Sequence, residues 1–133
     1  MQIDLTIQKE LIFKAKIALK NSYSPYSNFK VGAALLTSNQ EIITGTNIEN
    51  RYFNLTICAE RTAIVKAISK GINNFQAIGL ASLNKDQNIQ YNCYPCGVCR
   101  EFLHEFTPNI LVILETAANQ IKTINLTELL PQD

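Results

Sequence analysis

Two short stretches of the chain carry residue types that can hold a metal ion and move a proton. Cys96 and Cys99 form a Cys-x-x-Cys pair, a spacing at which two thiolates can reach one ion when the second begins a helix. Cys58 is the natural third ligand, and Glu60 follows it by two residues. A catalytic zinc site keeps three protein ligands and one position for water, whereas a structural site is usually closed by four. The pattern therefore predicts an open three-thiolate zinc site in which Glu60 takes the proton of the water.

Other interpretations of these residues stay open at this point. A Cys-x-x-Cys pair also serves as a redox motif, Cys58 could be a small buried hydrophobic residue, and a helix carboxylate such as Glu60 is commonly exposed. Cys93 is a fourth cysteine, and as a ligand it would close the open position and leave a structural zinc module that mediates assembly. His104, the only histidine, is expected on a helix surface or in an interface rather than as a ligand.

The spacing of apolar residues predicts the elements that must position these groups. The predicted helices cover 6–19, 57–70 and the segment between Pro95 and Pro108, and the predicted strands cover 31–36, 41–45, 75–83, 110–115 and 120–124. Asp4 or Thr6 can cap the first helix, and Gly71 ends the second. Cys58 is thus expected near a helix N-terminus, where the helix dipole favours a thiolate over a thiol.

The order of these elements predicts the fold class. The polar stretch 84–92 is expected to be a loop, and 127–130 a terminal helical turn. A succession α-β-β-α-β-α-β-β indicates an α/β protein, a three-layer α/β/α arrangement with a five-stranded mixed sheet covered by helices on both faces. With no repeat or linker, residues 1–133 are expected to form a single domain.

Composition and charge narrow the class of protein. The chain is 47% hydrophobic and 17% charged, which is typical of a soluble globular domain. Twelve basic and eleven acidic residues are scattered along the chain, which disfavours a large nucleic-acid interface. Because no signal peptide or membrane span is visible and three cysteines stand in ligand-like contexts, we expect a cytoplasmic protein with reduced thiols and no membrane partner.

The longer motifs of the chain resemble one enzyme family. Zinc deaminases combine three His or Cys ligands with a Glu two residues after the first ligand and a Pro-Cys-x-x-Cys element, and this chain has Cys58-Ala59-Glu60 followed by Pro95-Cys96-Gly97-Val98-Cys99. It is similar over nearly its whole length to the small homotetrameric cytidine deaminases that act on free nucleosides. The other matching stretches are Tyr23-Ser24-Pro25-Tyr26-Ser27-Asn28-Phe29, Gly45-Thr46-Asn47-Ile48-Glu49-Asn50, Arg61-Thr62-Ala63 and Leu129-Leu130-Pro131.

The resemblance implies an activity and a cofactor. Cys58, Cys96 and Cys99 would hold one Zn²⁺ per subunit. Glu60 would move protons from the water to N3 and then to the departing ammonia, while hydroxide attacks C4 of cytosine. The implied reaction is hydrolytic deamination of cytidine and 2′-deoxycytidine to uridine and 2′-deoxyuridine in pyrimidine salvage, by a homotetramer whose sites are shared between subunits.

The resemblance also implies substrate contacts. Asn47 and Glu49 match positions that bind the ribose 3′-hydroxyl; without the resemblance they would be ordinary loop residues. Phe29 matches an aromatic beside the pyrimidine ring, although a core residue would suit it equally, and Ala59 matches a residue whose backbone amide faces the base carbonyl. Arg61 lies one helical turn from Cys58, so it can donate to a thiolate and offset the net charge of −1 that three thiolates give Zn²⁺.

The chain departs from the family pattern at three places. Only Gln132 and Asp133 follow Pro131, so the aromatic that family members carry there is expected to be absent. Phe53 stands where the family has a tyrosine, and Glu101 stands where glutamine is usual.

Two further functions are alternatives to nucleoside deamination. A deaminase for a modified cytosine nucleoside of the blasticidin type is disfavoured by the sugar-binding motif at 47–50. Polynucleotide editing is disfavoured because no basic groove or interleaved aromatic-basic run is present.

Overall fold

The computed structural model describes residues 3–130. Its helices are α1 (Leu5–Ala18), α2 (Ala59–Ser69) and α3 (Gly97–Phe106), and its strands are β1 (Lys30–Thr37), β2 (Ile42–Thr46), β3 (Phe75–Leu83), β4 (Ile89–Gln90), β5 (Leu111–Ala117) and β6 (Gln120–Asn125). Short 3₁₀ helices cover Leu19–Asn21, Phe53–Leu55 and Leu126–Leu129, the last where a terminal helical turn was predicted. Residues 131–133, where the tail was predicted to lack an aromatic, lie outside the described residues.

One sheet organises the described residues. Its strands lie in the order β2-β1-β3-β5-β6, with β1 antiparallel to both neighbours and β3 parallel to β5. Alternate strand residues point to opposite faces. Leu36 and Ala77 pack against α1 on one face, and Leu35, Ile78 and other buried residues pack against α2 and α3 on the opposite face. The predicted three-layer α/β/α fold with a mixed sheet is therefore confirmed.

The first helix begins as its sequence predicts. The Asp4 side chain accepts a hydrogen bond from the backbone N–H of Thr6 at 2.9 Å, which caps the helix. Leu11 and Ala15 are fully buried against the sheet. A Cβ at Gly32 of β1 would lie 2.0 Å from the Ala15 carbonyl oxygen, so only glycine allows α1 to approach the sheet this closely.

The sheet has six strands rather than the predicted five. The extra strand, β4, lies in the stretch 84–92 that was predicted to be a loop, and it pairs antiparallel with the end of β3 through Ser82 opposite Gln90 and Leu83 opposite Ile89. Two residues are too few to display a strand period, which is why the sequence pattern missed them. β3 pairs with β5 only along 77–79, and β4 pairs with β3 beyond that point.

The described residues include no helix that is both long enough and apolar enough to cross a membrane.

Candidate active site

The N-termini of two helices bring three thiols together on one face of the sheet. Cys58 is the N-cap residue of α2 and Cys96 is the N-cap residue of α3, and neither uses its side chain to cap the helix. The Cys58 and Cys96 sulphurs lie 3.5 Å apart, and those of Cys96 and Cys99 lie 3.4 Å apart. All three sulphurs lie within 4.8 Å of one another.

This cluster fits a zinc ion. Zn–S bonds of about 2.3 Å in a tetrahedron place two sulphurs about 3.8 Å apart, close to the observed separations. In residues 3–130 the cluster consists of Cys58, Cys96 and Cys99, and Cys93 does not join it. Burial raises the pKa of Cys93 to about 11, so this cysteine remains a thiol. The geometry therefore offers three ligands and leaves the fourth position free of cysteine.

The environment of Cys58 favours a thiolate. A hydrogen bond from Cys99 and further hydrogen bonds from Cys96 and Arg61 outweigh burial and lower the pKa of Cys58 to about 5. The pKa of Cys99 is raised in turn, because this thiol donates to Cys58 and is itself buried. Cys58 and Cys99 thus share one proton in the absence of metal, and binding of Zn²⁺ to both residues as thiolates would release it.

Arg61 lies beside the cluster, three residues after Cys58. Its Nη2 donates to the Thr56 carbonyl oxygen at 3.0 Å and contacts the Cys58 sulphur at 3.9 Å. The guanidinium can therefore offset part of the negative charge that three thiolates bring to the site.

Glu60 is a buried carboxylate at the wall of a cavity. Its side chain lies in the first turn of α2 and is only 4% exposed. Burial, together with the charge on Cys58, raises the pKa of Glu60 to about 7 against the effect of hydrogen bonds that stabilise its charge. A carboxyl group with such a pKa can accept and release a proton near neutral pH.

The cavity beside the thiols has a volume of about 450 Å³. Such a volume lies within the range of sites that bind small molecules. Among the predicted site residues, Cys58, Ala59, Glu60 and Cys96 line it on one side, and Phe29 and Asn47 line it as well. Glu49 is not among its lining residues.

Asn47 and Glu49 hold the loop that precedes β1. Asn47 Oδ1 accepts from the backbone N–H of Val31 at 2.9 Å and from the Ser22 hydroxyl, and Asn47 Nδ2 donates to the Phe29 carbonyl oxygen at 2.8 Å. The Glu49 carboxylate accepts from the N–H groups of Tyr26 and Ser27, at 2.9 and 3.1 Å, and from the Ser27 hydroxyl. Both residues therefore shape the cavity wall that carries Phe29, and their predicted sugar contacts stay predictions.

Eight residues that sequence reasoning did not place at a substrate cavity also line it. They are Val31, Thr56, Ser82, Gln90, Tyr91, Asn92, Cys93 and Tyr94. Five of them, at 90–94, form one run that begins in β4, and its backbone is tied to β5 by a hydrogen bond from Asn92 N–H to the Glu115 carbonyl oxygen at 2.9 Å. No local signal marked this run, because its place in the site depends on pairing with a distant strand.

Arg100 is a second positioning residue that the sequence did not reveal. Its Nε donates to the Pro95 carbonyl oxygen at 2.8 Å, and its Nη1 donates to the Leu129 carbonyl oxygen at 2.9 Å. These bonds tie the loop before α3, which carries Cys96, to the terminal 3₁₀ helix. His104, in contrast, is exposed in the last turn of α3, and Phe53 is 90% exposed.

Comparisons with known proteins agree with this site. Residues 5–115 match the cytidine and deoxycytidylate deaminase zinc-binding region. A cytidine deaminase of Sporosarcina psychrophila is 38% identical over 92% of this chain and 88% of its own length. A blasticidin-S deaminase of Bacillus cereus is 36% identical over 76% of this chain and 74% of its own length.

The fold agrees with a solved structure as well. The crystal structure of a cytidine deaminase from Burkholderia pseudomallei superposes with a TM-score of 0.83 and 36% identity, covering 93% of this chain and 96% of that one. With its cluster of three thiols and the adjacent buried carboxylate, the chain belongs to the family that carries the cytidine and deoxycytidylate deaminase zinc-binding region.

Proposed function

We propose that this chain is a zinc-dependent cytidine deaminase acting on free cytidine and 2′-deoxycytidine in pyrimidine salvage. The observation that carries the proposal is the buried Glu60 carboxyl beside three convergent thiols, at the wall of a cavity that Cys58 and Cys96 also line. The similarity of the chain to proteins named cytidine deaminase supports the choice of substrate. The chain acts as a single domain, with one zinc ion per subunit.

The residues divide the chemistry between them. Cys58, Cys96 and Cys99 would hold the zinc ion, which when bound lowers the pKa of water and so supplies a nucleophile at neutral pH. Glu60 takes a proton from that water, places it on N3 of the cytosine ring and carries a second proton to the amino nitrogen. The water oxygen forms a bond to C4 and the bond from C4 to the amino nitrogen breaks. Ammonia leaves with the second proton, and the first stays on N3 of the uracil product.

The substrate contacts follow from the cavity wall. Ala59 is fully buried at the start of α2, where the N–H groups of a first helical turn lack helical partners and can bind the base carbonyl. Phe29 lines the cavity and offers an apolar surface to the pyrimidine ring. Asn47 keeps one amide hydrogen for the ribose, and Glu49 binds the sugar from the loop that it orders.

The decisive experiment measures zinc content and ammonia release together. We expect about one zinc per chain and turnover of cytidine and 2′-deoxycytidine, with cytosine and CMP far poorer substrates. A zinc-loaded protein that releases ammonia from none of these compounds would contradict the proposal. Efficient deamination of single-stranded DNA in competition with free nucleoside would point to polynucleotide editing instead. The near-neutral formal charge of +1 does not favour binding of a polynucleotide.

A second candidate function is deamination of a modified cytosine nucleoside. The 36% identity to a blasticidin-S deaminase favours it, whereas the longer match to proteins named cytidine deaminase favours the first candidate. Comparing kcat/KM for blasticidin S and cytidine decides between them. A higher value for blasticidin S would reverse the assignment.

The assembly and compartment are parts of the same proposal. Several large apolar side chains are exposed in the single chain, among them Tyr26 and the neighbouring Tyr52, Phe53 and Leu55. Such a patch suits a subunit interface, and we propose a homotetramer with shared sites, in a cytoplasm that keeps the zinc thiols reduced. Light scattering on the purified protein should give four times the mass of 14.9 kDa. A monomer that is fully active would exclude shared sites.

A further inference from the structure

Ser82 lies in the cavity without an assigned role. It stands near the end of β3, opposite Val31 of β1 and Gln90 of β4. All three residues line the cavity, together with Glu60 and Cys93. Ile78 and Leu80, at even positions of the same strand, pack toward α2 and α3, so strand alternation points Ser82 to the face that carries the thiols.

The Ser82 hydroxyl has no hydrogen-bond partner within residues 3–130, although the residue is only 1% exposed. The Cys93 thiol lies close enough for the Ser82 hydroxyl to favour its thiolate against burial. Sulphur is a weak donor and acceptor, however, and no group within residues 3–130 meets hydrogen-bond geometry with the Ser82 hydroxyl. A buried hydroxyl without a partner is costly, and such groups normally bind water or a ligand. At the wall of a cavity, the missing partner is whatever fills that cavity.

We propose that the Ser82 hydroxyl is a substrate contact that binds the group at position 4 of the pyrimidine, on the ring edge that faces Glu60. This position carries an amino group in cytidine and a carbonyl oxygen in uridine. A hydroxyl can accept from the first and donate to the second, so one residue serves substrate and product. A substrate group that lies beside Ser82 must offer the hydroxyl a hydrogen bond, and an apolar group there would bind less well.

The inference rests on the proposed function, and Ser82→Ala tests it. We expect kcat/KM for cytidine to fall about 3- to 10-fold, as for loss of one neutral hydrogen bond, with weaker binding of uridine by calorimetry. The factor should be the same for 2′-deoxycytidine, because the contact is to the base. Zinc content should not change. The melting temperature of the ligand-free protein should stay equal or rise, because the substitution removes a buried polar group that lacks a partner.

Thr37→Val provides a matched control. Thr37 is also 1% exposed, but its hydroxyl accepts from the Glu41 N–H at 3.0 Å, and it lies at the far end of β1, about 20 Å from Val31 at about 3.3 Å per residue. This variant should melt at a lower temperature and keep its kinetic constants.

The outcomes separate the two proposals. If the parent protein is active and Ser82→Ala leaves kcat/KM and uridine affinity unchanged, the role of Ser82 is refuted while the function stands. Thr37→Val is expected to melt at a lower temperature. If Ser82→Ala also melts at a lower temperature, and its loss of activity is explained by unfolding alone, Ser82 is a structural residue and the inference is wrong. If the parent protein deaminates no cytosine nucleoside, both proposals fall together.

Discussion

At the residue scale, the site combines groups with opposite electrostatic needs. Hydrogen bonds at two helix N-termini favour a thiolate at Cys58, whereas burial holds Glu60 partly protonated near neutral pH. The two residues are separated by Ala59 alone, yet one has the character of a ligand and the other of a proton carrier. This division is what a hydrolytic zinc site requires.

Replacing Glu60 by glutamine isolates the proton transfer. Glu60→Gln keeps the size of the side chain and removes its ability to accept a proton. We expect kcat to fall by about 10²- to 10⁴-fold, while the protein still binds about one zinc per chain. Steady-state kinetics and metal analysis of the same preparation check both quantities. Glu105→Gln, at an exposed carboxylate of α3, should behave as the parent protein. Full activity in Glu60→Gln would rule out the assigned role.

Glu49 should contribute to stability in a pH-dependent way. Burial raises the pKa of this carboxyl, but the Ser27 hydroxyl and the N–H groups of Ser27 and Tyr26 outweigh burial and hold it below its usual value of 4.5. A carboxyl whose pKa is depressed on folding stabilises the protein above its unfolded pKa, and this stability is lost as pH falls through the folded pKa.

The comparison is between the parent protein and Glu49→Gln. We expect the parent to melt at a higher temperature above about pH 5, with the difference shrinking progressively below pH 4.5. Melting curves from pH 7 to pH 3 measure it. A difference that stays constant over this range would mean that the Glu49 charge does not hold the loop.

At the element scale, close packing of α2 on the sheet positions Cys58 and Glu60. A Cβ at Gly45 of β2 would lie 2.5 Å from the Ala63 nitrogen and 2.7 Å from the Ala59 carbonyl oxygen. Backbone atoms cannot move aside as a flexible side chain can. The helix would therefore have to shift, and its first turn carries Glu60.

Gly45→Ala should damage both stability and activity. We expect a loss of about 1 to 3 kcal/mol in the free energy of unfolding, as for overpacking of a core, with reduced kcat. Chemical denaturation and kinetics test the two effects. Gly97→Ala is the control, because a Cβ at that position meets nothing within 4 Å, so stability should not fall. Equal stability of Gly45→Ala and the parent would show that α2 is not held by this contact.

The elements differ in how far sequence alone predicts them. Apolar residues at helical spacing were enough to predict three helices, and short apolar runs were enough to predict five strands, among which β1 and β3 are buried on both faces. β4 escaped prediction, since its strand character comes only from pairing with β3. The three thiols were predictable because cysteine, glutamate and proline are informative residue types at fixed spacing. The loop-holding bonds of Asn47 and the unpartnered hydroxyl of Ser82 depend on contacts distant in sequence, which no local pattern displays.

At the scale of the whole molecule, a zinc ion would join two helices that belong to different parts of the chain. Cys58 comes from the start of α2, and Cys96 and Cys99 come from the start of α3, with Cys96 38 residues after Cys58. The unfolded chain has no preformed site, so the free energy of zinc binding adds to the stability of the folded state. Loss of the metal should therefore lower the stability of the whole fold.

Removing zinc with a chelator should lower the melting temperature substantially. At zinc concentrations about 1,000 times the dissociation constant the ion contributes about 4 kcal/mol, which corresponds to a shift of about 10 °C or more in a domain of this size. Scanning calorimetry at several zinc concentrations measures it. Cys99→Ala should abolish the zinc-dependent shift, whereas Cys93→Ala should retain the shift and about one zinc per chain. Loss of zinc from Cys93→Ala would instead favour a closed structural site with four thiolates, because it would mean that Cys93 is itself a ligand.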